Sequence, residues 1–228
     1  METKKWLKIV PKSGTYARTA ETLERILEAT LHVLMRDGYA NLTFRGVADE
    51  CGLKVGHISY HFPSKDDLVR GLLDAVLEGY ASRAEQQVYK AHRGDREQFR
   101  AAIIEILKDI QTFQTTHLFP ELWSMANHDP EIDARVQDFY VRARSRMQAL
   151  ISRMNPALTE EDVETLCLFY SSFAEGATLF AGHGKRYADR MPDLAAIAIH
   201  SFIDLAETIT SEQIASIREE WAEGELLP

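Results

Sequence analysis

Apolar residues recur at intervals of three and four along almost the whole chain, the period of a helix with one buried stripe. The first stripe, Leu23, Ile26, Leu27, Leu31, Leu34 and Met35, predicts a helix over 19–37 that Gly38 ends. Phe44, Val47, Ala48 and Cys51 repeat the spacing over a shorter span. Thr43 offers a side-chain oxygen to the orphan amides at its start, and Gly52 stands where the chain must turn sharply. Past that turn Ile58 and Phe62 lie four apart and pack inward. Gly56, His57, Ser59, Tyr60 and His61 are left toward the outside, and Pro63 stops the helix. Ser64 and Asp67 make a capping box for a long helix through Leu68, Leu72, Leu73, Val76, Leu77 and Tyr80 toward Tyr89.

The same period continues through the second half. After Arg93-Gly94, Asp95 is read as the cap of a helix over 96–115, and Pro120 as the first turn of a short helix reaching Asn127. Asp129 and Pro130 are cap and first residue of a helix to Met154, and Thr159 and Asp162 form a second box opening a helix over 160–182. Pro192 starts a last long helix through Ile209, and Ile214, Ile217 and Trp221 mark a short terminal one. Strand signals are absent, so the predicted fold is all-α. Its segments are a basic arm over 1–18, a head over 19–67 and a helical body over 68–228.

Two short helices joined by a glycine-containing turn set the second as a rigid ridge that fits the DNA major groove. The outward face of that ridge is polar, aromatic and uncharged. From Ile26 to Leu73, the order Gly38-Tyr39, Leu42-Thr43, Val47-Ala48, Gly52-Leu53 and Tyr60-His61-Phe62-Pro63-Ser64-Lys65 resembles the DNA-binding domain of TetR-family transcriptional regulators. That resemblance covers about the first third of the chain. It implies that Thr43, His61 and Lys65 contact phosphate and that Val55, Gly56, Ser59 and Tyr60 lie near base edges, with His57 able to do either. Two positions depart from the family habit. Lys54 stands where Ser or Thr is common, which weakens a cap and adds a cation that can reach phosphate. Ser59 stands where an aromatic is common.

Composition changes the picture in one respect. The net charge of −9 argues against a nucleic-acid partner until its distribution is seen. Residues 1–70 carry 11 Lys+Arg against 9 Asp+Glu, and the remainder carries 15 against 26, so the acidity belongs to the body. Lys4, Lys5, Lys8, Lys12 and Arg18 near the start form either a solvated tail or an arm that reaches DNA. Neither an apolar leader core nor a membrane-length apolar run is present, which predicts a cytoplasmic protein. Cys51 and Cys167 sit in apolar helical patterns and are expected to be reduced.

For the body the resemblance implies a ligand-binding and dimerisation domain. Phe113, His117, Trp123, Met125, Phe139, Arg144, Phe169, Tyr170 and Phe173 are the candidate lining of an effector site, with His117, Trp123, Arg144 and Tyr170 as its polar anchors. A similar aromatic and sulfur-rich set, including Phe119, Tyr140 and Met147, is also what any helical core contains. The helices over 160–182 and from Pro192 carry apolar groups around much of their circumference, more than one chain buries, which predicts a four-helix interface in a homodimer. A two-fold dimer places two reading helices about one DNA turn apart, roughly 34–36 Å, and so predicts a palindromic operator.

The expected function is thus a ligand-responsive repressor that binds double-stranded DNA and a small apolar or aromatic effector. The alternative is a DNA-tethered adaptor for a protein partner. No cofactor, metal or enzyme activity is expected. His57 and His61 have the spacing of a two-histidine metal face, but Ile58 occupies the place of the glutamate in a zinc-hydrolase motif, and no phosphate loop or nucleophile elbow is present.

Overall fold

The computed structural model describes residues 7–9, 17–90 and 93–222, the side chains of Ala17 and Arg18 excepted. Lys4, Lys5 and Lys12 of the expected arm lie outside those residues. Among the described residues the regular elements are helices: α1 (Ala17–Asn41), α2 (Phe44–Cys51), α3 (Val55–His61), α4 (Lys65–Ala84), α5 (Asp95–Ile110), α6 (Phe113–Ala126), α7 (Pro130–Met154), α8 (Glu160–Ala181), α9 (Met191–Thr208) and α10 (Ser211–Ala222). A π turn, Glu85–Tyr89, follows α4, and a 3-10 turn, Ala188–Arg190, precedes α9. Packing divides the chain into two compact units, 1–86 with 117–140, and 87–116 with 141–228.

In the first unit α1 packs on α2 and α4, and α2 on α3. Ile26, Leu31, Leu34, Val47, Ile58, Leu68 and Leu72 are fully buried there. Each such side chain contributes roughly 1.5–3 kcal/mol, so the stripe holds the unit together while the caps set where elements begin and end. The starts and stops fall where the side chains dictate. Gly46 N–H donates to Thr43 Oγ1 at 3.1 Å, and Gly52 takes φ 66°, ψ 30°. At Ser64 both arms of the capping box with Asp67 are present. Gly38, at φ 75° and ψ 166°, breaks the regular run of α1, and one further turn follows it. Lys8 lies beside α4, with its N–H on Ala75 O at 2.8 Å and its ammonium on Glu78 at 2.9 Å.

Three boundaries of α5 and α6 differ from the sequence expectation. Gly94, not Asp95, occupies the cap position of α5; Asp95 is its first helical residue and pairs with Arg153 at 2.7 Å. That helix ends at Ile110 rather than near 115, because Thr112 Oγ1 accepts the Thr115 N–H at 3.3 Å and starts a new helix there. Pro120 therefore stands inside α6 and not in its first turn. Lacking an N–H, it leaves one helical bond unmade, a local cost that the helix tolerates.

In the second unit Phe99, Ile103, Leu107, Leu150, Ile151, Val163, Leu166, Tyr170 and Phe202 form the core from α5, α7, α8 and α9. Thr159 caps α8, accepting the Asp162 N–H at 3.2 Å. The start of α10 is tied to the same place. Asn155 Nδ2 donates to Ile209 O at 2.9 Å, Ser211 Oγ accepts the Thr159 N–H at 3.3 Å, and the Ser211 hydroxyl donates to Asp162. Burial pushes the Cys167 thiol up to about 12, so it packs as a small hydrophobe at neutral pH.

Candidate nucleic-acid interface

The reading helix is built by contrast between one buried and several exposed positions. Ile58 of α3 is 0% exposed and Phe62, just past its end, is buried. On the other side Lys54, Val55, Gly56, His57, Ser59 and Tyr60 are exposed, Tyr60 at 82%. The phenol ring stands edge-on to the half-buried His61 ring at 5.1 Å. Ser59 Oγ donates to Gly56 O at 3.3 Å, and Gly56 has open space where a Cβ would point. Lys54 makes no side-chain cap bond, as its side chain cannot accept one. An aromatic tip, a hydroxyl, an imidazole and a valine methyl pair on one short helix are groups that read base edges and the thymine methyl.

The rest of the head holds this helix in place. Arg25 donates to Cys51 O at 2.8 Å, satisfying a terminal carbonyl of α2. Arg36 bridges Asp37 and Glu50, both at 2.9 Å, and its hydrogen bonds hold both carboxylates below their ordinary range. His32 Nδ1 lies 3.4 Å from the same Glu50. Thr43, exposed, still has its hydroxyl hydrogen to donate after capping α2. Lys65 is half-buried: its ammonium donates to Tyr39 O at 2.6 Å and sits 4.0 Å from the centre of the Tyr39 ring. Burial lowers its pKa, opposed by Asp66. Sequence reading missed two supports. Gly71 of α4 makes room for the Phe62 ring, whose Cε1 would be 2.7 Å from a Cβ there. Glu121 of α6 accepts the Tyr39 N–H at 3.0 Å. An apolar stripe ranks neither residue, since both depend on what lies opposite.

The expected effector residues fall into separate groups. In the first unit, Phe119 joins Trp123 and Phe139, each with ring centres 6.2 Å away. Tyr80 stands edge-on to Phe119 at 5.4 Å, and the Trp123 indole donates to Tyr140 Oη at 3.0 Å. Met125 is buried and His117 half-buried in that unit. In the second, Tyr170 and Phe173 gather on Phe202, at 4.4 and 5.2 Å. The Tyr170 hydroxyl donates to Phe202 O at 3.0 Å, and burial raises its pKa. Phe113 stacks edge-on to His183 at 5.9 Å, Arg144 is half-buried, and Phe169 is half-exposed on the outer side of α8.

A three-helix head presenting an exposed reading helix defines a helix-turn-helix DNA-binding regulator. The family model for bacterial regulatory proteins of the tetR family matches residues 26–72, and that for the C-terminal part of BetI-type transcriptional repressors matches residues 91–204. The chain belongs to the TetR family of transcriptional regulators, which are not enzymes. An uncharacterised HTH-type transcriptional regulator from the dhlA 5′ region of Xanthobacter autotrophicus is 24% identical over 91% of this chain and 95% of its own. CymR of Pseudomonas putida is 27% identical over 68% and 77%. Among solved structures, a transcriptional regulator from Saccharomonospora viridis in complex with choline superposes with TM-score 0.69 at 22% identity, over 79% of this chain and 96% of that one. GusR of Salmonella enterica gives 0.66 at 14%, over 86% and 100%. No single helix among the described residues is long and apolar enough to cross a membrane.

Proposed function

We propose that the protein is a homodimeric cytoplasmic repressor that holds a palindromic operator through α3 and releases it when a small apolar or aromatic effector binds. The observation that carries this reading is α3 itself, with Ile58 sealed inward and Tyr60 82% exposed among uncharged groups. An aromatic ring left largely in water on a seven-residue helix adds little to packing, and base recognition gives it a role. In the same reading Thr43, Lys54, His61 and Lys65 supply phosphate contacts, while Val55, Gly56, His57, Ser59 and Tyr60 face base edges.

Release follows from linkage. An effector that prefers one conformation of the protein lowers operator affinity by its own preference for that conformation, typically about 1–3 kcal/mol. The ring group of Phe119, Trp123 and Phe139 with Tyr80 and Tyr140 supports an aromatic or apolar effector. One observation favours a second class, a small quaternary ammonium: the Saccharomonospora viridis regulator was crystallised with choline, and electron-rich rings also attract such cations.

Genomic fragments selected with purified protein, followed by salt titration of the best fragment, test the DNA reading. Tyr60→Ala is expected to relax sequence preference and Lys65→Ala to flatten the salt slope by about one. Thermal-shift screens of aromatic acids, aromatic hydrocarbons and choline-like cations then test the effector. A compound that stabilises the protein and weakens the operator complex supports the sensor; an operator complex indifferent to all of them, with a protein partner recovered on DNA, supports the adaptor.

A further inference from the structure

Tyr39 is held through its N–H, carbonyl, ring and hydroxyl, and these contacts lead from α6 to the N-terminus of α4, where Lys65 is the proposed phosphate contact. The break at Gly38 turns the next amide out of the helix, so the Tyr39 N–H finds Glu121 Oε2 at 3.0 Å, across 82 residues of chain. Gly38 itself leaves the space: a Cβ there would come within 3.5 Å of Glu121 Oε1 and would be strained at φ 75°. Tyr39 O accepts the Lys65 ammonium at 2.6 Å and the Leu42 N–H at 3.2 Å. The ring lies under the same ammonium at 4.0 Å, and the phenol donates to Asp66 Oδ1 at 3.4 Å. All of these groups belong to the first compact unit.

We propose that Glu121 is a positioning residue for DNA binding: by fixing the Tyr39 backbone it fixes the Lys65 ammonium at the N-terminus of α4, aimed at phosphate. The inference rests on the reading of Lys65 as a phosphate contact. A free lysine side chain surrenders much of its rotamer freedom when it meets a phosphate. Here the carbonyl and the ring have already taken that freedom, and two of the three N–H donors remain for DNA. The carboxylate of Glu121 makes a charge-assisted bond to the backbone amide, which is stronger than a neutral one and fixes both the carbonyl and the ring that carry Lys65. Two ties between α4 and α7, Arg70 to Glu131 at 3.2 Å and Arg135 to Asp74 at 3.2 Å, pair half-buried arginines with exposed carboxylates and leave the Tyr39 backbone untouched.

The test is a salt titration of the full-length protein on its best genomic fragment, with wild type, Glu121→Ala, Glu121→Asp, Glu121→Gln, Lys65→Ala and the Lys65→Ala/Glu121→Ala double variant. Loss of the acceptor in Glu121→Ala, or its retreat by one methylene in Glu121→Asp, is expected to weaken binding about three- to tenfold at fixed salt, within the range of one hydrogen bond. Glu121→Gln, whose amide oxygen accepts the same N–H as a neutral bond, is expected to lose less than either, staying within about threefold of wild type. Adding Glu121→Ala to Lys65→Ala is expected to change nothing further, because the group it positions is gone. Equal losses in the two backgrounds would overturn the proposal by showing that Glu121 acts on general stability. Wild-type binding by both Glu121→Ala and Glu121→Asp would also overturn it. A Lys65→Ala protein with unchanged affinity and salt slope would instead bring down the phosphate reading of Lys65, and the inference with it. Should Glu121→Ala fail to fold, Glu121→Asp against Glu121→Gln decides the matter.

Discussion

At Gly71 the ring of Phe62 comes so close that one added methyl group would lie 2.7 Å from Cε1. Alanine is ordinarily favoured over glycine in a helix interior by about 1 kcal/mol, but overpacking a buried ring costs about 1–3 kcal/mol. The second effect wins, so Gly71→Ala is expected to lower the thermal midpoint by a few degrees. Its larger effect falls on operator affinity, since Phe62 ends the segment that seats α3. Gly182 makes the same case in the second unit. A Cβ there would meet Thr178 O at 2.5 Å and Thr116 Oγ1 at 2.6 Å, and that hydroxyl also accepts the His183 N–H at 2.8 Å and donates to Ile110 O at 2.9 Å. Gly182→Ala is expected to destabilise by about 1–3 kcal/mol with DNA specificity unchanged, measured by denaturant unfolding and by fragment selection on the folded fraction. The outward set of α3 was legible in the sequence because Ile58 and Phe62 betray the buried side. Glu121, Gly71 and Gly182 were not, because each is defined by a partner far along the chain or by space that only the fold creates.

Caps decide the behaviour of whole elements toward acid. The carboxylate of Asp162 at the start of α8 is held below its ordinary 3.8 by the Ser211 hydroxyl first and Thr159 second, and Asp67 at the start of α4 by Ser64 and then Arg70. Folded-state values below unfolded ones mean that these bonds stabilise the fold at pH above about 4 and that the contribution is lost as pH falls through the depressed folded values. Stability is therefore expected to fall as pH drops below about 4. Asp162→Asn should lower stability at neutral pH and flatten that acid slope; an unchanged slope in the variant would remove Asp162 from the titrating set. The cap at α8 and both arms of the box at α4 were readable as Ser/Thr followed by Asp at the third position. The start of α6 was not. Thr112 outcompeted Pro120 as the start signal, since a threonine that caps frees the helix to run through a proline whose missing bond is affordable once the surrounding turns are packed.

At the scale of the whole molecule, the second unit has apolar surface left exposed among the described residues. Leu168, Phe169, Leu179 and Phe180 recur on one side of α8, with Phe180 62% exposed, and Ile197 on α9 is 65% exposed. Gly176 lies between them on the same stripe, with nothing within 4 Å of where its Cβ would point, so another helix can approach closely. The burial of Val163, Leu166, Cys167 and Tyr170 on the opposite side shows that α8 has two apolar faces, and only one of them is covered among the described residues. A second copy supplying the same pair of helices would cover the other by two-fold symmetry, giving the oligomer expected from the sequence. Placing a charge at the centre of such an interface costs far more than at a wet surface. The double variant Phe180→Asp/Ile197→Asp is expected to sediment as a monomer with unchanged helix content. Its affinity for a palindromic operator should fall roughly a hundredfold or more, because two linked modules gain at least that much over one, while its affinity for an isolated half-site stays near the wild-type protomer's. Sedimentation equilibrium and half-site titration check both statements. A variant that remains dimeric would assign this apolar surface to something other than a second copy, and a monomer that still holds the full palindrome at wild-type affinity would separate dimerisation from operator recognition.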